Sequence, residues 1–388
     1  MRIILIIPGF LLACHVIFAQ NLDDLAFGSD STLEVVSWNI EHFPKNDEVT
    51  LDYVAEIIRA LDADILALQE INDTTGFRQM VDAMDEYEWF IHEGYYAGLA
   101  YAYKKNIEAI HNIYRIYTAE PYWRPFPRSP LIMHCRFSDN AYYIINNHFK
   151  CCGDGHIEEG EPWDEETRRL DASILLKEHI DENLPDNNVI LTGDLNDMLT
   201  DEPENNVFQA FLDDSENYLF ADRDIAEGPE TDWSYPTWPS HLDHILITNE
   251  LFDEMVGEFA KVQTIKIDEY LENGWDEYED NVSDHRPVGI RFKPDVNSSL
   301  ENQVRQAKGI TAAPNPASNR VHFSFPGPAT QASFAIFNSR GQKVFHYKLQ
   351  NSEKSLSWDA SPLPEGIYFA RIVSTKGYIA TEKVIINR

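Results

Sequence analysis

The chain has 388 residues, 43% hydrophobic and 12% aromatic, with 31 Lys+Arg against 65 Asp+Glu for a formal net charge of −34. At roughly 150 residues per domain this length holds two or three domains, and the composition excludes a stapled mini-protein and wholesale disorder alike. Residues 310–388 hold 9 Lys+Arg and 4 Asp+Glu, a net +5 that leaves −39 for the rest, so the acidic part repels polyanions at long range and binds nucleic acid tightly only with the help of cations.

At the start, Arg2 precedes an apolar run from Ile3 to Ala13 broken only by Pro8 and Gly9, and apolar residues resume through Ala19. The pattern predicts a secretory signal peptide over residues 1–20, cleaved near Ala19 or Gln20, because no uninterrupted span approaches the ~20 residues a bilayer crossing needs. Leu11-Leu12-Ala13-Cys14 also fits a lipoprotein cleavage box, an alternative weakened by Val16-Ile17-Phe18, which continues the apolar core past it. Cleavage leaves Cys135, Cys151 and Cys152, too few and odd in number for disulfides to hold the fold.

Leu33 to Ile40 reads as a buried strand, and Asp47 to Leu61 as a helix with Leu51, Val54, Ile57, Ile58 and Leu61 on one face. Further strands are predicted at Ile65–Leu68, Trp89–His92, Leu99–Tyr103, Leu131–Phe137, Ala141–Phe149, Val189–Thr192, His244–Thr248 and Val288–Phe292. Helices fit Gly76–Met84, Glu165–Leu184 and Asn206–Leu212. A hairpin turning at Asp139 would set Cys135 opposite Tyr143 and leave Cys151 about 26 Å away at ~3.3 Å per residue, beyond disulfide reach. Alternating strands and helices with hairpin-like pairs indicate an α/β layered domain with mixed sheets. Residues 294–309 dissolve into a polar linker, and residues 310–388 show only short strands between Gly and Pro turns, a small all-β sandwich.

Polar residues gather where strands end: Asn39, Glu70, Asp194 with Asn196 in Gly193-Asp-Leu-Asn, and Asp284-His285 before the last strand. Singly, each is more often a turn residue or a cap. Strand ends at one edge of an α/β sheet form a crevice, however, and carboxylate and amide oxygens there suit a hard cation such as Mg²⁺ or Ca²⁺ rather than zinc. Two aromatic loops, around Tyr122-Trp123-Phe126 and Trp233-Tyr235-Trp238, either pack on their own domain or lie beside the cleft. The acidic stretches Asp154–Glu166 and Asp268–Asp280 read as solvated surface, or as a cleft rim that gathers Ca²⁺ or excludes long polyanions.

Trp38-Asn39-Ile40, Leu68-Gln69-Glu70, Asn147-His148-Phe149-Lys150, Gly193-Asp194-Leu195-Asn196, Leu242-Asp243-His244-Ile245 and Ser283-Asp284-His285-Arg286-Pro287 stand in family order. Together they resemble the endonuclease/exonuclease/phosphatase superfamily, which includes pancreatic-type deoxyribonuclease. The resemblance implies a four-layer α/β sandwich of two mixed sheets flanked by helices over residues 31–293, followed by the small all-β sandwich domain. It implies that Asn39, Glu70 and Asp284 serve a divalent ion, Mg²⁺ with Ca²⁺ or Mn²⁺ as alternatives. Asp194 would then orient or deprotonate the attacking water and Asn196 the phosphate. His285, held by Asp243, would act on the transition state or leaving oxygen, with His148 as the second imidazole and Arg128 as a phosphate contact. The implied activity is that of a secreted, metal-dependent phosphoesterase cleaving phosphodiesters in a nuclease-like manner. The alternatives are a phosphatase, a sphingomyelinase-like phospholipase on a lipid or small phosphoester, and a non-catalytic surface binding protein.

In the tail, Pro314-Asn315-Pro316, Phe337-Asn338-Ser339-Arg340-Gly341-Gln342-Lys343-Val344, Leu363-Pro364-Glu365-Gly366-Ile367-Tyr368 and Lys383-Val384-Ile385-Ile386 resemble a type IX secretion sorting domain of Gram-negative bacteria. That implies handling by the type IX secretion machinery and export through the periplasm to the exterior or cell surface; no stable protein partner is inferred.

Overall fold

The computed structural model describes residues 21–92, 98–294, 311–324, 332–338, 343–349, 354–374 and 379–387. The expected signal peptide, Cys14 and all but the first residue of the expected linker lie outside them. Two compact units part between Val296 and Asn297.

The first unit runs β1 (Leu33–Phe43), α1 (Asp47–Leu61), β2 (Ile65–Ile71), α2 (Thr74–Asp82), β3 (Tyr87–Ile91), β4 (Gly98–Lys104), β5 (Ala109–Arg115), β6 (Leu131–Phe137), β7 (Asn140–His148), α3 (Glu165–Asn183) and β8 (Asn188–Asp194). It continues through α4 (Gln209–Leu212), β9 (Tyr218–Phe220), α5 (Arg223–Ala226), β10 (Asp243–Thr248), β11 (Lys261–Thr264), α6 (Gly274–Asn281) and β12 (Val288–Phe292). These strands build two mixed six-stranded sheets, ordered β11-β12-β1-β2-β4-β3 and β5-β6-β7-β8-β10-β9.

Period-2 alternation sorts the side chains into layers. Val36, Trp38 and Ile40 of β1 pack with Val54, Ile57 and Phe77 of the helices on one side. Leu33 and Val35 of the same strand face the second sheet and meet Met133, Ile144, Ile190 and Ile245. The far side of that sheet, through Ile132, Ile145 and Leu191, buries Leu176 and Ile180 of α3. The result is the expected helix, sheet, sheet, helix stack.

Three strands escape the sequence pattern, β5, β9 and β11, and each is an edge strand of its sheet. An edge strand is only partly covered, so it carries no continuous apolar run. In α1 the buried face is Thr50, Val54, Ile57, Ile58 and Leu61, with Thr50 in place of the expected Leu51 because its hydroxyl donates to the Asn281 carbonyl at 2.7 Å. The β6–β7 hairpin turns on two residues, Ser138 and Asp139, both at positive φ (48° and 64°). Its centre falls between them, so Cys135 pairs with Tyr142 rather than the expected Tyr143. Cys135 is buried and unpaired, Cys151 and Cys152 are exposed free thiols, and burial pushes the Cys135 thiol up to about 12.

The second unit packs a three-stranded sheet, β13 (Thr311–Ala313), β14 (Arg320–Ser324) and β17 (Ser355–Asp359), with a four-stranded one. The latter contains β15 (Ala332–Asn338), β16 (Lys343–Lys348), β18 (Gly366–Ser374) and β19 (Ile379–Ile386). All pairings between these strands are antiparallel. Phe323 and Trp358 of one sheet share a core with Phe334, Tyr368 and Val384 of the other.

Candidate active site

The ends of β1, β2, β7, β8 and β10 bring the polar residues together. In the second sheet, His148 is in register with Asp194 on the parallel neighbour, and Asp194 faces Asp243 across the antiparallel β10–β8 ladder. Gly193 makes this spacing attainable: it sits at φ 145°, and a Cβ there would lie 2.0 Å from the Asn147 carbonyl oxygen. In the first sheet, β1 carries extra residues between the Asn39–Gln69 and Phe43–Ile71 pairs. Glu70 occupies the irregularity at φ 63°, a strained, re-aimed position of the kind that persists where surrounding structure enforces it.

Asn39 joins the two sheets. Its Nδ2 donates to Asp194 Oδ2 at 2.9 Å and to Glu70 Oε1 at 3.2 Å. Glu70 Oε2 also accepts the His42 backbone N–H at 2.9 Å. Asp194 Oδ1 takes the Asn196 N–H at 3.1 Å, and the Asn196 side chain is tethered to the Phe149 carbonyl at 3.4 Å. The loop before β12 closes the site: His285 Nδ1 bonds Asp243 Oδ2 at 2.7 Å, while its Nε2 lies 3.9 Å from both Asp194 Oδ2 and Asp284 Oδ1. His148 Nε2 stands 3.5 Å from Asp194 Oδ2 and 3.9 Å from Glu70 Oε1. Arg128 lies over Gly98, its Nε 3.6 Å from where a Cβ would sit, and Gly98 pairs with Ile71, next to Glu70. All nine expected site residues therefore gather at one end of the two sheets.

Burial drives the electrostatics. It opposes charge on His285, yet the Asp243, Asp194 and Asp284 carboxylates outweigh it and raise the imidazole to about 10. His148 goes the other way: burial, with Arg128 and His285 nearby, holds it well below the usual histidine range and so neutral. Burial raises Asp194 to about 7, with the neighbouring Asp243 and Glu70 adding to it against the pull of His285 and Asn39. Asp284 is likewise raised by burial and by Glu41 and Glu70.

These residues fit a divalent cation. Among the described residues, buried Asn39 Oδ1 has no hydrogen-bond partner, and Asp194 and Asp284 are pushed toward protonation by burial and by neighbouring carboxylates. An oxygen-only donor set under mutual repulsion is what a hard cation relieves.

Other residues, several of them within the motifs, aromatic loop and acidic stretches already quoted, support the site. Ser234 Oγ accepts the Asp243 N–H at 3.2 Å, and the Tyr235 ring lies 4.8 Å from the His285 ring. Ser283, already within the quoted motif, donates to the Asn39 carbonyl at 2.7 Å and accepts the His285 N–H at 3.0 Å, so it joins β1 to the His285 loop. Buried Arg169 of α3 bonds Asp197 at 2.7 Å and the Lys150 carbonyl at 2.8 Å, bracing the segments that follow Asp194 and His148. Behind β8 and β10, Asp222 Oδ2 bonds His244 Nδ1 at 2.6 Å and His241 Nε2 at 3.0 Å. The acidic stretches are partly internal rather than simply solvated: Asp164 caps α3 through the Thr167 N–H, Glu166 pairs with Arg169 at 3.1 Å, and Asp268 grips Arg286 at 2.6 and 2.8 Å.

Comparison with known proteins follows the same division. Residues 36–285 match the model of the Endonuclease/Exonuclease/phosphatase family, and residues 311–387 that of the secretion system C-terminal sorting domain. No curated protein matches the chain. D. rerio TDP2 complexed with single strand DNA product aligns at 16% identity and TM-score 0.50, over 68% of this chain and 100% of that one. The human Nocturnin catalytic domain with bound sulfate anion aligns at 18% and 0.48, over 68% and 94%. An endonuclease/exonuclease/phosphatase from Bacteroides vulgatus aligns at 16% and 0.48, over 68% and 99%. The chain belongs to the Endonuclease/Exonuclease/phosphatase family of phosphoester hydrolases, with a C-terminal sorting domain that marks it for export.

Proposed function

We propose that the chain is a divalent-cation-dependent phosphodiesterase of nuclease type, exported by the type IX route. The observation that carries this is two hydrogen-bonded sets, His285 with Asp243 and Asn39 with Asp194 and Glu70, which the pairing of Asp194 with Asp243 brings side by side at the orphaned Asn39 Oδ1. Asn39, Glu70 and Asp284 would hold the ion, Mg²⁺ being the hard cation that suits them. When bound, such an ion neutralises charge on the phosphate and polarises its oxygens.

The chain's own groups do the rest. Asp194, fixed at both oxygens by Asn196 and Asn39, orients the attacking water and takes its proton. Asp243 holds His285 by Nδ1, so Nε2–H is left to donate to the leaving oxygen. Neutral His148 donates a ring N–H to a non-bridging oxygen, and Arg128 and Asn196 hold the phosphate in place.

Purified protein assayed on bis(p-nitrophenyl) phosphate, single- and double-stranded DNA, sphingomyelin and p-nitrophenyl phosphate, with Mg²⁺, Mn²⁺, Ca²⁺ or EDTA, tests this. Hydrolysis of the diester and of DNA, abolished by EDTA, is expected. Turnover confined to the monoester or to sphingomyelin replaces the nuclease reading.

A further inference from the structure

Beside the crevice lies a cavity of about 710 Å³ whose lining includes Arg115, Trp123, Phe126, Arg128, Lys150 and Arg168. That volume is within the range of small-molecule sites, roughly 300–1,000 Å³. Four cations meet there on a chain of formal charge −34. Lys150 lies 3.5 Å from Glu165, but among the described residues no ion pair engages Arg115 or Arg128. Arg168 is steadied by the Arg124 carbonyl at 2.6 Å and by the Trp163 ring at 5.7 Å.

The first aromatic loop, expected either to pack on its own domain or to lie beside the cleft, divides between a buried and an exposed ring. Phe126 is buried and stacks on Tyr117 at 5.1 Å with 5° between the rings. Trp123, held by its Nε1–H to the Thr118 carbonyl at 3.1 Å, stays 57% exposed. The cavity adjoins the candidate catalytic residues, since Lys150 in its lining follows His148 by two positions and Arg128 in its lining is near enough to oppose charge on His148.

We propose that this cavity binds the nucleotide adjoining the scissile phosphate of a single-stranded nucleic acid, its base stacked on Trp123 and its phosphate held by Arg115, Lys150 and Arg168. The assignment of its occupant rests on the phosphodiesterase reading of the neighbouring site. Guanidinium groups match phosphate oxygens in paired hydrogen bonds, and an exposed indole stacks on any base regardless of sequence. A duplex keeps its base faces covered and cannot enter such a cavity. The acidic remainder of the domain opposes a long polyanion, so attraction is confined to the cavity, within a Debye length of about 10 Å at 0.1 M salt. This local basic site is the exception to the uniformly repulsive field read from composition.

Fluorescence anisotropy of a labelled dT10 oligonucleotide with the full-length protein in EDTA reads binding without hydrolysis. Trp123→Ala is expected to weaken it about 5- to 150-fold, equivalent to about 1–3 kcal/mol per stacked base, and Trp123→Phe to retain most of the affinity. Arg115→Gln is expected to lower affinity and to reduce the slope of log K against log salt by about 0.7. No dT10 binding, or binding unchanged in both Trp123→Ala and Arg115→Gln, overturns the proposal. So does binding of sphingomyelin vesicles in place of dT10 that depends on these two residues. Binding of dT10 that depends on both, in a protein that hydrolyses no diester, upholds the nucleotide cavity and overturns the phosphodiesterase reading instead.

Discussion

Asp243 and His285, 42 positions apart, meet at 2.7 Å between Oδ2 and Nδ1, joining the second sheet to the loop that leads into the last strand of the first. The contact leaves only Nε2 of the imidazole facing the crevice. Asp243→Asn preserves the shape but no longer favours the required tautomer and charge. It is expected to lower kcat about 10²–10⁴-fold with little change in KM. Steady-state kinetics on a chromogenic diester, with circular dichroism to verify the fold, decide this, and a loss below threefold would remove His285 from the chemistry.

Cation affinity is the second test. Asn39→Ala removes the orphaned oxygen and Glu70→Gln a charge beside it. Each is expected to weaken Mn²⁺ or Mg²⁺ binding at least about tenfold in isothermal titration calorimetry. Native affinity in both variants would show that the ion is held elsewhere.

Gly193→Ala tests the strand spacing that sets His148 against Asp194. The new Cβ meets backbone atoms of Asn147, the closest 2.0 Å away, so neither side can yield by a rotamer change. A loss of about 1–3 kcal/mol or more in urea unfolding is expected; a neutral substitution would mean that β7 and β8 can move apart at no cost.

Glu34 supplies a pH prediction away from the site. Burial, reinforced by the neighbouring Asp64, raises it to about 8 against the Thr32 hydrogen bond. The folded state thus binds a proton that the unfolded chain releases near pH 4.3, and stability falls as pH rises from there through about 8. Glu34→Gln keeps the shape without the titration. It should flatten that decline and stabilise the protein at pH 8 by about 1 kcal/mol or more, as read from urea midpoints between pH 5 and 9. An unchanged slope would assign the decline to other groups.

The Asp222, His241 and His244 cluster gives the opposite sign on one side. Burial works against the Asp222 carboxylate, but His244 and His241 hold it below its ordinary value. Burial likewise opposes charge on His244, and Asp222 outweighs it and raises the imidazole. The Asp222 contribution is present above about pH 3.9 and is lost as pH falls through its depressed value. The His244 contribution is present below about pH 6.5 and is lost as pH rises through its raised value. Asp222→Asn leaves a buried imidazolium without its partner and is expected to cost about 3–5 kcal/mol at pH 6. A loss under 1 kcal/mol in urea unfolding at that pH would show the cluster to be neutral.

The sequence by itself determined the layers and which polar residues stand at the strand ends. Runs such as Val-Ile-Leu-Thr before Gly193 are buried on both faces of a strand, so their pattern reads directly, and the polar residues that end them stand out against it. Edge strands β5, β9 and β11 stayed hidden because partial exposure dilutes the pattern. Only the tertiary structure decided what each charge does. Arg169 and Asp197, Asp222 and His244, and Asp268 and Arg286 find each other across 28, 22 and 18 positions, and composition registers them as surface charge. The basic cavity has the same origin: Arg115, Trp123, Lys150 and Arg168 come from separate segments of an acidic domain, and local potential depends on the distances that folding sets, which a net charge averages away.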